Sequence, residues 1–240
     1  ENQNKPMFIF FSTNLPHGPV DIPPEENTYA ASPSIRQAYG NASGTNRECS
    51  GAAEEYASMV DKLDRQVGAI LAQVHKLGLE KRTIIVFSSD NGHELYYRTD
   101  KGRGRGPDCH GGVLDGTGEL LDVFRGSRGR VGPNNAMANL AGLKWTSHEG
   151  GIRVPLIISW PGTLPYGKVC HSLVANYDHM ASFADLAGIR MPEGKDAVSY
   201  MDILSGNSSR QRDYVVVDHT VITGDGWKLT QKQNKPFLFH

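Results

Sequence analysis

Thr83-Ile84-Ile85-Val86-Phe87-Ser88-Ser89-Asp90-Asn91-Gly92 is the stretch on which the fold turns. A short β-branched and aromatic run that gives way to small polar residues reads as a buried strand emptying into a loop at its carboxyl end. Upstream, Tyr56, Met59, Val60, Leu63, Val67, Ile70, Leu71, Val74 and Leu77 recur at three- and four-residue steps. Glu54, Asp61, Lys62, Asp64, Arg65 and Lys76 fall between them. The spacing predicts one amphipathic helix, with Gly78 placed to cap its C-terminus. Further back, the apolar run Met7-Phe8-Ile9-Phe10-Phe11 predicts another buried strand. Strand, helix and strand in that order form a βαβ unit, which predicts a parallel sheet.

Downstream, Val154 to Trp160 reads as a third strand closed by Pro161-Gly162, and Tyr177 to Ala187 as a helix ended by Gly188. Tyr214 to Val217 and Trp227 to Thr230, on either side of Gly224-Asp225-Gly226, read as an antiparallel pair. Tyr97 to Asn139 is rich in Gly and Arg without sustained periodicity, and reads as a long surface excursion. The fold class expected is α/β: a mostly parallel sheet flanked by helices over 1–212, with the start of a small antiparallel subdomain over 213–240.

Composition narrows the function. Among 240 residues, 25 basic and 26 acidic side chains leave a net charge of −1, so nucleic acid is not the partner to expect. No apolar run approaches the roughly 18 residues of a membrane span. Glu1 to Lys5 is polar and the run behind it is too short for a signal peptide. Cys49, Cys109 and Cys170 lack metal-type spacing and leave the redox compartment open. The chain opens on a strand with nothing before it, which reads as a piece of something longer. Oligomeric state is not legible.

Chemistry is expected where strands of an open α/β sheet end. Asp90-Asn91 sets a carboxylate beside an amide oxygen, a donor pair suited to a hard divalent cation, although Asp-Asn-Gly is equally turn chemistry. His17 follows the first apolar run in Leu15-Pro16-His17-Gly18-Pro19, where a histidine between prolines can also simply close a loop. Lys144 through Pro155 gathers a Lys, a Glu and an Arg around Gly150-Gly151, which is either an anion site or an ordinary turn before a strand.

These clusters in this order resemble the sulfatase family of the alkaline phosphatase-like superfamily, in its Bacteroidetes-type form. The resemblance runs from Pro16-His17-Gly18-Pro19 through the Tyr56 to Asp64 helix and Ser89-Asp90-Asn91-Gly92. It continues over His93-Glu94 and Tyr96-Tyr97 to Gly142-Leu143-Lys144, Glu149 to Pro155, and Trp160-Pro161-Gly162. It implies hydrolysis of sulfate esters of a small molecule or glycan, with calcium as cofactor and Asp90 and Asn91 as metal ligands. Lys144 and His17 are implied to bind the sulfate group and act in catalysis, with His17 donating a proton to the departing oxygen. Glu149 and Arg153 fall at positions read as structural, aiming Lys144, and His148 is given no catalytic role. The family's C-x-P-S-R or S-x-P-S-R nucleophile motif, converted to formylglycine, is absent: Ala31-Ser32-Pro33-Ser34-Ile35-Arg36 misses it by one residue and lies on the wrong side of His17. The upstream Asp-Asp ligand motif is absent too. The expectation is the C-terminal portion of a sulfatase, inactive by itself, from a periplasmic or secreted parent. The alternatives are a phosphatase or phosphonate hydrolase of the same superfamily, or a non-catalytic anion- or glycan-binding protein. Arg98, Arg103, Arg105, Arg125, Arg128 and Arg130 of the excursion suit an anionic glycan or a solvated loop. Asn41-Ala42-Ser43 and Asn207-Ser208-Ser209 fit glycosylation sequons.

Overall fold

The computed structural model describes residues 5–17, 22–34, 47–92, 144, 147–206, 212–232 and 235–240, with backbone alone at 47–53 and 232. The Tyr97 to Asn139 excursion, both sequons, Cys109 and the Cys49 side chain lie outside the described residues. Two compact units emerge: Glu1–Leu79 with Asn91–Arg153, and Glu80–Asp90 with Val154–His240.

The first unit is built on helix α1, Arg47–Lys76. It ends as the sequence predicts. Gly78 takes φ +66°, Gly78 N–H donates to His75 O at 2.9 Å and Leu79 N–H to Val74 O at 3.1 Å, closing the last turn. The helix also begins earlier than its apolar stripe, carried by a run of good helix formers around Ala52, Ala53 and Glu54. Its most buried positions include two polar ones, Ser58 and Glu54. Both are buried because the preceding loop spends its backbone donors on them. Tyr29 N–H donates to Ser58 Oγ at 3.1 Å and Ala31 N–H to Glu54 Oε2 at 3.0 Å. Ser58 Oγ in turn donates to Asn27 Oδ1 at 2.8 Å. A buried polar side chain that satisfies a loop amide is as much a packing element as Met59 beside it. A short second helix, α2, spans Glu149–Ile152.

Met7 to Phe11 corrects the sequence reading. The run belongs to no strand, and its side chains are exposed, Phe10 by 82%. An apolar pentad shows what a segment would bury, but apolarity alone does not make a strand, which also needs a ladder partner.

In the second unit, β1 (Ile85–Ser88) pairs with β2 (Leu156–Ser159). The pairing is antiparallel, with Ile85 opposite Ser159 and Ser88 opposite Leu156, so among the described residues the parallel βαβ pairing does not form. Trp160 Nε1 donates to Lys81 O at 3.0 Å and ties the exit of β2 to the approach to β1. Helix α3 (Asp178–Leu186) closes at Gly188 with φ +65°, and α4 (Met201–Leu204) follows. The chain ends in a four-stranded meander: β3 (Tyr214–Val217), β4 (Thr220–Thr223), β5 (Lys228–Lys232) and β6 (Lys235–Phe239), in the order β3-β4-β5-β6. This is the small antiparallel subdomain expected at the C-terminus, with one correction. Tyr214–Val217 pairs with β4 and not with Trp227 to Thr230, because Asp218 at φ 53° and His219 already turn the chain. An Asp-His hairpin lacks the Asn-Gly signature that would have announced it.

The core of this unit gathers on Asp178, at 2% exposure. Its carboxylate accepts from Ala175 N–H and Val198 N–H, each at 2.8 Å, and from Arg212 Nε at 3.2 Å, with a second, close Arg212 contact. Arg212 also donates to Asp196 O at 2.6 Å and lies over the Tyr177 ring. Ser182 Oγ donates to Asp178 O at 2.8 Å and accepts Tyr200 N–H at 3.1 Å, joining α3 to α4.

Candidate functional site

The loop carrying His17 is fixed locally before it is useful. Leu15-Pro16 is a cis peptide, and His17 N–H donates to Asn14 O at 2.7 Å. Thr13 Oγ1 accepts Leu15 N–H at 3.2 Å and reaches Gln66 of α1 at 3.4 Å, so the helix holds the turn. On this turn His17 Nε2 meets Lys144 Nζ at 2.9 Å, across 127 positions of sequence. An ammonium brings three donors and no acceptor, so in this contact Nζ donates and Nε2 accepts. The first unit thus brings together two of the four candidate site residues, a cation and an imidazole, at hydrogen-bond distance.

Asn91 belongs to the same unit, and Asp90 to the other. Asp90 follows β1 by two residues. Its loop is anchored one residue earlier, where Asn176 Nδ2 donates to Ser89 O at 3.2 Å. Asn91 is anchored one residue later. Gly92 N–H donates to Gly151 O at 2.8 Å, inside α2. The two chains cross so closely there that a Cβ on Gly92 would lie 1.8 Å from Gly150 O and 2.9 Å from Gly151 Cα. Gly150 and Gly151 are themselves buried. His148, 7% exposed, precedes α2, and its carbonyl accepts Gly151 N–H at 2.8 Å and Ile152 N–H at 3.1 Å. Arg153 N–H donates to Glu149 O at 2.7 Å and closes the turn.

Sequence reading singled out Gly150-Gly151 as a turn but missed that Gly92 is its counterpart. The signal was present, since a glycine after Asp-Asn can serve close approach as well as turn geometry. Chemically, a carboxylate and an amide oxygen on consecutive residues are hard donors that fit a calcium-type cation as two of its six to eight oxygens. Among the described residues no group of three or more His, Cys, Asp or Glu is placed to hold a metal ion.

Solved structures share this architecture. The crystal structure of Ps i-CgsB in complex with k-i-k-neocarrahexaose superposes with a TM-score of 0.62 at 23% identity, covering 94% of this chain and 41% of that one. The phosphonate monoester hydrolase SpPMH from Silicibacter pomeroyi superposes with a TM-score of 0.52 at 18% identity, covering 94% of this chain and 45% of that one. The fold is therefore of the alkaline phosphatase-like α/β type. Within that class the Sulfatase family model matches residues 1–189. The chain belongs to the sulfatase family. Among curated relatives, the N-acetylgalactosamine-6-sulfatase of Canis lupus familiaris is 26% identical over 200 residues, 83% of this chain and 28% of that protein. The steryl-sulfatase of Homo sapiens is 32% identical over 157 residues, 65% of this chain and 22% of that protein. The chain thus spans less than a third of the length of these relatives. Among the described residues no helix is long and apolar enough to cross a membrane.

Proposed function

We propose that this chain carries the sulfate-binding part of a sulfuric ester hydrolase whose substrate is a sulfated small molecule or glycan. The observation that supports it is the His17–Lys144 pair: two residues remote in sequence meet at 2.9 Å in a chain that belongs to the sulfatase family. Lys144 offers a compact positive charge to the sulfate oxygens near the leaving group. When an anionic sulfate engages Lys144, the Nε2 of His17 is released from accepting its proton and can face the ester oxygen. Once Nε2 has taken up a proton from solvent, His17 would give that proton to the departing alcohol oxygen and return to the neutral imidazole. Asp90 and Asn91 are the residues that would hold calcium, which when bound neutralises and polarises the ester. No residue matches the motif of the formylglycine nucleophile among the 240, so this chain by itself binds the group without turning it over. The reading places the protein in the periplasm or outside the cell, and takes 213–240 as a subdomain appended to 1–212.

Titration of the chain with an aryl sulfate tests this. Lys144→Ala and His17→Ala should each weaken binding by about tenfold or more, the usual size for a hydrogen bond to a charged group. The double variant should lose less than the two losses combined, because the residues contact one another. A phosphonate monoester offered in parallel should bind more weakly than the sulfate. Affinities untouched by either substitution would leave a surface lysine beside a loop histidine, and the proposal would fall. Hydrolysis of the aryl sulfate clearly above that of Lys144→Ala would refute the expected lack of turnover.

A further inference from the structure

We infer that Gly92 is a positioning residue, which presents Asn91 to a divalent cation by docking the Asn91-Gly92 segment against the backbone of α2. The inference rests on the cation reading of Asp90 and Asn91 and extends it to a residue that touches no ligand. Three observations carry it. The Gly92 amide is spent on Gly151 O at 2.8 Å. The space a side chain would need is filled by backbone, Gly150 O at 1.8 Å and Gly150 C at 2.7 Å, which cannot swing aside as a side-chain end can. Gly150 and Gly151 are buried, and the His148 carbonyl fixes their turn through two bonds, so the surface Gly92 meets is itself held. Gly92 is absent from the positive-φ glycines, which include Gly78 and Gly162. Glycine is therefore needed here for proximity and not for a left-handed backbone. Asn91 is covalently next to this crossing, so the crossing limits where its amide oxygen can go.

The test uses the whole chain, with calcium as the titrant, terbium as its oxygen-seeking substitute, and the Asn91 side-chain amide resonances as the local reporter. Gly92→Ala should weaken cation binding by about tenfold or more, the scale for losing an outer support of a metal ligand. Gly68→Ala is the control: a Cβ there meets nothing within 4 Å, and binding should match wild type. A Gly92→Ala chain that folds and binds like wild type overturns the inference while leaving the cation reading intact. A wild-type chain whose Asn91 resonances ignore both ions overturns the cation reading, and the positioning role with it. Should Gly92→Ala fail to fold, wild type alone decides. Coupling is reciprocal, so if docking favours the cation, the cation must favour docking by the same factor. Hydrogen exchange at the Gly92 amide should then slow about tenfold on saturation with calcium, a change that a merely structural glycine would not show. Unchanged exchange with calcium bound overturns the inference.

Discussion

Asp90 and Asn91 are neighbours in sequence, yet each is anchored by its own unit and by opposite means. On the Asn91 side the anchor is backbone against backbone, Gly92 on Gly151, with no side chain involved. On the Asp90 side it is a relay of side chains. Asn176 holds Ser89 O, the next residue back, Ala175, is held by the Asp178 carboxylate, and Asp178 is paired with Arg212. A backbone crossing is limited by volume and is indifferent to protonation. A carboxylate hub tolerates small changes of volume but depends on charge, since removing one partner strands the other in a poorly solvated place.

The sharpest way to break this comparison is Asp178→Ala. Arg212 is 9% exposed and would lose its carboxylate, and the Ala175 and Val198 amides would lose their acceptor. The expected cost is about 3–5 kcal/mol, the range for breaking a buried ion pair from one side. Chemical unfolding of the purified variant measures it. A cost below about 1 kcal/mol, the range of exposed pairs, would show that the hub is not load-carrying and that the contrast is false.

How much of this was legible depended on whether one residue type could carry the message. The α1 stripe, its Gly78 cap and α3 with Gly188 were readable, because periodicity and glycine punctuation are local signals. The meeting of His17 with Lys144 followed only from family resemblance, as no local pattern spans 127 positions. Asp178 sits in Val174-Ala175-Asn176-Tyr177-Asp178-His179, where nothing distinguishes a buried hub from an acidic residue in a helix's first turn. Met7 to Phe11 misled because composition reports apolarity and not the presence of a partner strand.

A second, smaller test sharpens the comparison inside the first unit, where a carboxylate also holds a loop. Glu54 is 5% exposed and accepts Ala31 N–H at 3.0 Å, at a residue that takes φ 60°. Glu54→Ala should cost about 1–3 kcal/mol, the penalty for one buried amide left unsatisfied. Glu54→Gln should recover most of it, because the amide keeps a carbonyl oxygen in the same place. If Gln fares no better than Ala in chemical unfolding, charge and not the hydrogen bond is what the loop requires, and the two carboxylates act alike after all.

The smallest expected effect concerns protons next to the hub. His179 Nδ1 and Tyr200 Oη are 2.7 Å apart, and the rings meet edge to face at 5.6 Å. His179 Nε2 is buried and, among the described residues, has no hydrogen-bond partner. Burial holds the imidazole below its usual value, opposed by the Asp178 charge, and burial pushes the Tyr200 phenol up, with Ser182 acting the other way. Both groups are therefore neutral at pH 7, and one proton is shared along the Nδ1···Oη contact. Below the ordinary histidine value of 6.5 the unfolded chain takes up a proton that the folded chain resists, so it binds more protons and stability falls with pH. This contribution is intact above 6.5 and is lost as pH drops from there through the folded value. Above the ordinary tyrosine value of 10.0 the sign reverses: the unfolded phenol ionises first and stability falls as pH rises. His179→Asn retains a polar atom near the Nδ1 position for Tyr200 and removes the titration. Unfolding midpoints at pH 5 and pH 7.5 should therefore differ less in His179→Asn than in wild type, whereas the alkaline limb set by Tyr200 should persist. An acid limb of equal size in both proteins would show that carboxylates outside this pair set it, and that the buried Nε2 carries no protonation cost.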